Sequence, residues 1–416
     1  MPYFYSRIFY CSYYRQRLKD VDIRFYCLCY RERRKDIYPS PGVLCSGEDW
    51  HKNRSAVQQD MMRAKSAMHY IDDMETITKE VLVIFEKSKN ANNSLDIYPI
   101  LKLWSLESVS YIFLNKRLYC FNDNSTKHTQ EGQQLVDAMR ELGEATLRLL
   151  FLPKFWKLVP DVIPPYRKFT KANETLNRIA KANVDNALQK LDIENDNSIL
   201  AKLARRNGKD APVINTMSQD AMLAGIDTTG YTATVFLYHL ASNPEKQEIL
   251  YREICEVVGS NDEPITESKL NQMRYLKACL HESQRMMPAT IGSSRTATED
   301  YVLSGYKIPK GTLVINYNMV TSNCSDNFRD AEEFRPERWL RSNPESKTAH
   351  PFSSIPFGHG PRSCIGRRFA LVQIYCLVIK LLQTYKIEYH GAEIGIVTEF
   401  LNIPDRDVRI TLVNRT

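Results

Sequence analysis

The chain has 416 residues, with 56 lysines and arginines against 49 acids, for a formal net charge of +7. Hydrophobic residues at 43% and charged residues at 25% exclude a disordered chain and allow a large core. The charge is too modest to argue for nucleic acid, and no apolar run is long enough to span a bilayer; neither a nucleic-acid partner nor a transmembrane anchor is expected.

The first residues are unusual. Arg7, Arg15 and Arg17 precede the first acid, Asp20, as in a basic transit peptide, but serines and a clean amphipathic period are missing. Residues 1–24 therefore read as an atypical N-terminal segment, a transit remnant or an imperfect gene start. The ten cysteines are scattered, and Cys27 and Cys29 have no second pair at zinc-ribbon spacing. Cys255, Cys279 and Cys376 fall in apolar helical patterns and are expected to be buried, reduced thiols in an intracellular compartment.

Most of the remaining chain has helical periodicity. Ser46, Gly47, Glu48 and Asp49 resemble a capping box opening a helix through Trp50 and Arg54. Helix is expected from about 56 to 85, 132 to 150, 167 to 191 and 217 to 242, where Asn243-Pro244 stops it. Another helix is expected from 269 to 287, before Pro288. An apolar, proline-bearing loop spans 152–165. Tyr301 to Ile308 and Thr312 to Asn316 flank Pro309-Lys310-Gly311 and predict a hairpin. Loops fill 322–363, and a last helix is expected from Ile365 to Thr384. The pattern predicts one mainly α domain with small sheets.

Two segments carry chemistry. In Phe357-Gly358-His359-Gly360-Pro361-Arg362-Ser363-Cys364-Ile365-Gly366, glycines permit tight turns and close approach of a flat ligand. Cys364 then stands at a helix start, where amides and dipole are expected to lower its thiol pKa. In Ala224-Gly225-Ile226-Asp227-Thr228-Thr229, small and polar residues interrupt an apolar helix. Such a break of local rules marks a functional site, with a groove at Ala224 and Gly225 and proton transfer by Asp227 and Thr228.

The ten-residue cysteine loop closely resembles the haem-binding loop of the cytochrome P-450 family. The Asp227-Thr228 helix resembles that family's oxygen-binding helix, and the resemblance covers roughly residues 25–416. It implies the P-450 fold: one large helical domain with small β-sheets, and haem b between the central long helix and the cysteine-loop helix. Cys364 becomes the thiolate ligand of the iron, which favours O–O cleavage. Phe357 shields the sulfur beside Gly358 and Gly366. Trp50, Arg54, Arg295 and Arg362 serve the haem propionates. Glu282 and Arg285, one helix turn apart, form a buried brace completed by Arg338. Family members carry more chain before Trp50, so 25–416 reads as a haem domain lacking its usual entry segment.

The segments around Glu282 and Gly366 look most like the arthropod mitochondrial branch. That likeness implies a monooxygenase hydroxylating a lipophilic, steroid-like or xenobiotic substrate, with electrons from NADPH through ferredoxin reductase and a ferredoxin. Arg274, Lys277, Arg367 and Arg368 are the expected docking cations. Steroid-processing members generally carry a further lysine where this chain has His281. The loop with Phe155, Trp156, Leu158, Val159 and Val162, flanked by Lys154, Lys157, Arg167 and Lys168, suits peripheral membrane contact. The implied location is the matrix side of the mitochondrial inner membrane. The alternatives are a truncated haem-binding protein without turnover, and a microsomal-type enzyme of the endoplasmic reticulum membrane using a flavin reductase. Peroxide-isomerising members usually disrupt the Asp-Thr pair or the cysteine loop, and both are intact here.

Overall fold

The computed structural model describes residues 47–121, 127–152, 160–399 and 401–415. Helix α1 (Gly47–Met61) carries Glu48 and Asp49 in its first turn, where acids complement the helix dipole. Ser46, the expected cap, lies outside the described residues. The stretch expected as one helix from 56 to 85 is shared by the end of α1, α2 (Ala64–Met68) and α3 (Ile71–Ser88): extended Arg63 (φ −70°, ψ 128°) parts α1 from α2, and Tyr70 (φ −98°, ψ 10°), outside the helical region, precedes α3.

After strand β1 (Ser94–Asp96) comes α4 (Ile97–Leu114), which periodicity does not reveal. Its residues are apolar or small and buried on most faces, so no amphipathic stripe marks it. The Asp96 carboxylate caps it by accepting from the Tyr98 amide (3.3 Å). Helices α5 (Lys127–Phe151) and α6 (Pro164–Lys190) pack together. Short α7 (Ile199–Asn207) is capped by Ser198.

The central helix α8 (Pro212–Ser242) starts earlier than Met217, with Pro212 preset for the first turn. It lies along α4 and also contacts α6 and α7. Helix α9 (Pro244–Val257) follows. The helix expected from 269 to 287 is two, α10 (Glu267–Gln272) and α11 (Arg274–Met286), separated by Met273 at ψ 86°.

The expected hairpin is re-paired. Strand β2 (Ser293–Thr296) pairs antiparallel with β5 (Leu313–Asn316), Ser293 opposite Asn316. Between them, β3 (Tyr301–Leu303) and β4 (Tyr306–Ile308) form their own hairpin. Its turn is Ser304-Gly305, both at positive φ (49° and 83°), the twist a two-residue hairpin favours. Pro309-Lys310-Gly311 only leads into β5.

After α12 (Asn318–Ser322), irregular chain leads to α13 (Arg367–Thr384), which starts two residues beyond Ile365. Helix α13 buries Phe369, Val372 and the stretch from Ile374 to Leu382, and touches α2, α3, α8 and α9. The strand β6 (Tyr385–Glu388) joins a three-stranded sheet in the order β1-β9-β6. Strands β7 (Ile396–Thr398) and β8 (Asn402–Pro404) pair separately, before β9 (Arg409–Asn414). Cys279 and Cys376 are buried as expected, whereas Cys255 is exposed, on the solvent side of α9.

Candidate haem and oxygen site

The cysteine loop is shaped by its own backbone. Gly358 and Gly360 have φ of 67° and 78°, open to glycine without strain. The Cys364 amide donates to the Phe357 carbonyl (2.8 Å), closing the turn, and the Ser363 amide donates to the Gly360 carbonyl (2.9 Å). The residue is exposed into a pocket of about 90 Å³ lined by Phe357, Met62, Arg367 and Arg368. Protein atoms nonetheless crowd the sulfur. Burial raises its pKa above the ordinary thiol value, and this outweighs the opposing Gly366 and Arg367 amides and the Arg54 and Arg367 charges. The lowered thiol pKa expected from the sequence is therefore corrected: desolvation wins over the helix start.

On α8, every residue from Thr229 to Ala241 is buried, yet Ala224 is exposed in mid-helix. The Thr228 hydroxyl donates to the Ala224 carbonyl (2.6 Å). The Asp227 carboxylate stands 2.7 Å from Lys102 Nζ of α4. That contact is an ion pair without hydrogen-bond alignment, since the same Asp227 oxygen has no aligned donor. Gly225 serves another purpose than the expected groove: a Cβ there would lie 2.8 Å from Val109 Cγ2 of α4. Ser105 of α4 also donates to the Gly225 carbonyl (2.9 Å). Ala224 alone is left open, while Gly225 lets two helices meet.

Residues 33–407 match the profile of the family described as Cytochrome P450. This chain belongs to that family. Its relatives include Cytochrome P450 CYP12A2 of Musca domestica, 35% identical over 84% of this chain and 68% of that protein. Probable cytochrome P450 49a1 of Drosophila melanogaster is 32% identical over 89% and 65% of the two chains. Cytochrome P450 302a1, mitochondrial, also of Drosophila melanogaster, is 30% identical over 90% and 76%. The chain thus spans about two thirds of the length of the first two. Membership in the P450 family brings haem b on a cysteine thiolate, and an oxidoreductase of the monooxygenase class.

The P450's own atoms fit such a group. Arg54 Nη2 donates to the Ser363 carbonyl (2.9 Å), but its Nε is buried without a hydrogen-bond partner. Burial lowers the Arg54 pKa, Cys364 opposes that and Arg362 adds to it. The Arg362 guanidinium lies 4.0 Å from the Trp50 ring centroid. Two guanidinium groups and an orphaned N–H beside the cysteine suit an anion such as a propionate. Trp50, Arg54 and Arg362 would hold the haem edge, with Cys364 the iron. Arg295, by contrast, is exposed on β2, donating to the Ser294 carbonyl (2.7 Å). Bound here, haem supplies the redox-active iron that activates dioxygen.

The expected brace is complete. Arg285 grips Glu282 through two bonds of 2.9 Å, and Arg338 Nε donates to the same carboxylate (3.0 Å). Glu282 and Arg285 are fully buried and Arg338 is 5% exposed. Trp339 Nε1 (2.8 Å) and the Arg335 amide (3.0 Å) add two donors that the sequence reading missed. Trp339's place beside Arg338 was the available signal. Next to it, His281 stacks on Trp339 at 3.7 Å, and burial pushes its pKa down to about 4. At neutral pH it offers no docking charge.

Arg274, Arg367 and Arg368 are exposed, while Lys277 is half-buried and donates to the Asn271 carbonyl (2.9 Å). Arg367 lies over the Phe357 ring at 5.3 Å. Of the loop expected to meet a membrane, residues 153–159 lie outside the described residues; Val162 is 61% exposed. Arg167 donates to the Asp161 carbonyl and Lys168 pairs with Glu144 (2.9 Å). Among the described residues no helix is long and apolar enough to cross a membrane.

Proposed function

We propose that this P450 hydroxylates a lipophilic substrate, steroid-like or xenobiotic, at an unactivated carbon. One oxygen atom of O2 enters the C–H bond, and the other leaves as water with two protons and two electrons. The observation that carries this reading is the exposed Ala224 beside Asp227 and Thr228, on a helix otherwise buried through its second half. There Asp227 and Thr228 stand half-buried in mid-helix rather than at a helix end. Thr228 must release the Ala224 carbonyl, and Asp227 must turn from Lys102, before either can hand on a proton.

For the electrons we propose NADPH, ferredoxin reductase and a ferredoxin. In support, Arg274, Arg367 and Arg368 are exposed, and Arg367 and Arg368 line one pocket with Cys364, as a basic face toward an acidic partner requires. Several relatives carry "mitochondrial" in their names, which supports the matrix side of the inner membrane as the location and peripheral contact with that membrane. The reduced, carbonyl-bound spectrum tests the thiolate. Product formation with ferredoxin, reductase and NADPH tests turnover, and a normal spectrum with no product would refute the hydroxylase reading.

A further inference from the structure

Away from the haem, the end of α1 and the last turns of α7 enclose an open pocket of about 300 Å³, lined by Asp60, Lys202, Arg205 and Arg206. Its one lining carboxylate is already neutralised. Asp60 is 5% exposed and held by Arg206 through Nε (2.6 Å) and Nη2 (3.2 Å). Arg205 is fixed differently: its Nη1 donates to the carbonyls of Ile193, Glu194 (2.9 Å) and Asp196 (2.9 Å). That anchors one end of the guanidinium while the residue remains exposed. The nearby Asp196 carboxylate accepts from the Ser198 amide (2.6 Å).

Lys202 is half-buried and has no side-chain hydrogen bond or ion pair within the described residues. Burial disfavours its ammonium most, Asp60 opposes that, and Arg205, Lys65 and Arg63 add repulsion. Arg63, before α2, and Lys65, in its first turn, are exposed. Three cations of α7, Lys202, Arg205 and Arg206, thus line a concavity whose one carboxylate is already paired. Unsatisfied positive charge held by anchored side chains is costly without an anion and attracts one.

We propose that the pocket between α1 and α7 binds a phosphate group through Lys202 and Arg205. A phosphate offers several acceptor oxygens to donors arriving from different directions, and arginine's fork suits it. The volume leaves room for a substituent, so a lipid headgroup and a soluble phosphate share the chemistry. This inference stands apart from the proposed hydroxylation, since the lining of this pocket shares no residue with that of the pocket at Cys364.

The test is calorimetric titration of the haem-loaded full chain with inorganic phosphate at constant ionic strength, on the native chain and on Lys202→Met and Arg205→Met. Saturable binding is expected, weakened roughly tenfold or more in each variant, as loss of a charged hydrogen bond implies. Without phosphate, Lys202→Met should melt no lower than the native chain, because methionine keeps the stem and removes the repulsion. A merely structural lysine would instead melt lower. Vesicles containing phosphatidic acid that compete with inorganic phosphate identify a headgroup, and failure to compete identifies a soluble ligand; both support the site. Absence of saturation, or equal affinity in the variants, overturns it. So does an effect of the variants confined to the KM for ferredoxin, which would make the patch a protein-docking surface.

Discussion

Lys102 Nζ of α4 stands 2.7 Å from the carboxylate of Asp227 on α8, and 5.7 Å from the centroid of the Tyr98 ring one turn earlier. The acid beside the groove is therefore tethered to a neighbouring helix. Lys102→Met is expected to leave haem binding and the carbonyl spectrum intact while lowering the product formed per NADPH consumed. Asp227→Asn should be the more severe change, about 10²-fold in product formation, the scale of a lost general acid. Equal NADPH coupling in native chain and Lys102→Met would show that the ion pair has no part in proton delivery.

Gly225 and Val109 predict a compensating pair. The missing Cβ at Gly225 is 2.8 Å from Val109 Cγ2, so Gly225→Ala forces the helices apart or moves the valine. Overpacking of this kind costs about 1–3 kcal/mol. Adding Val109→Ala should recover part of that loss in chemical denaturation. Strictly additive effects of the two changes would mean that the glycine is not a packing residue.

What was legible in the sequence follows the range of the forces involved. The cysteine loop and Glu282 with Arg285 could be read because their residues are close in sequence, where glycine φ and helical spacing act locally. The partnership of Lys102 with Asp227 joins positions far apart in the chain and has no local signal. Helix α4 was hidden because it is buried on most faces, which erases the amphipathic period. The hairpin was misread because two glycine turns compete, and only tertiary pairing of β2 with β5 decides between Gly305 and Gly311. Thiol acidity at Cys364 was misjudged because burial cannot be seen from a helix start.

The Glu282 carboxylate accepts from Arg285, Arg338, Trp339 and the Arg335 amide, all around a fully buried site. Glu282→Ala would strand Arg285, itself fully buried, without its counter-charge. Breaking a buried pair costs about 3–5 kcal/mol, so the variant should denature at markedly lower urea and lose haem on purification. Trp339→Phe removes one neutral donor and keeps the stacking surface for His281. Its expected cost is about 1.5–3 kcal/mol, the range for a hydrogen bond to a charged group. If the two variants proved equally stable, the cluster's role as a brace would be refuted.

His239 supplies a pH dependence. It is 4% exposed, with Nδ1 3.0 Å from Ser283 Oγ and its ring stacked on Phe334. Burial pushes its pKa down to about 4, against the opposing charge of Glu282. The unfolded chain, with an ordinary histidine pKa of about 6.5, binds this proton more readily than the folded one. Stability contributed by neutral His239 is therefore present above pH ~6.5 and is lost as pH falls toward about 4. The full difference is on the order of 3 kcal/mol. Urea titrations at pH 7 and pH 5 should show that slope, and His239→Phe should flatten it, whatever its own effect at pH 7. His281 would add a second, similar contribution in the same window, since its pKa is also about 4. An undiminished acid slope in His239→Phe would rule out this histidine as its source.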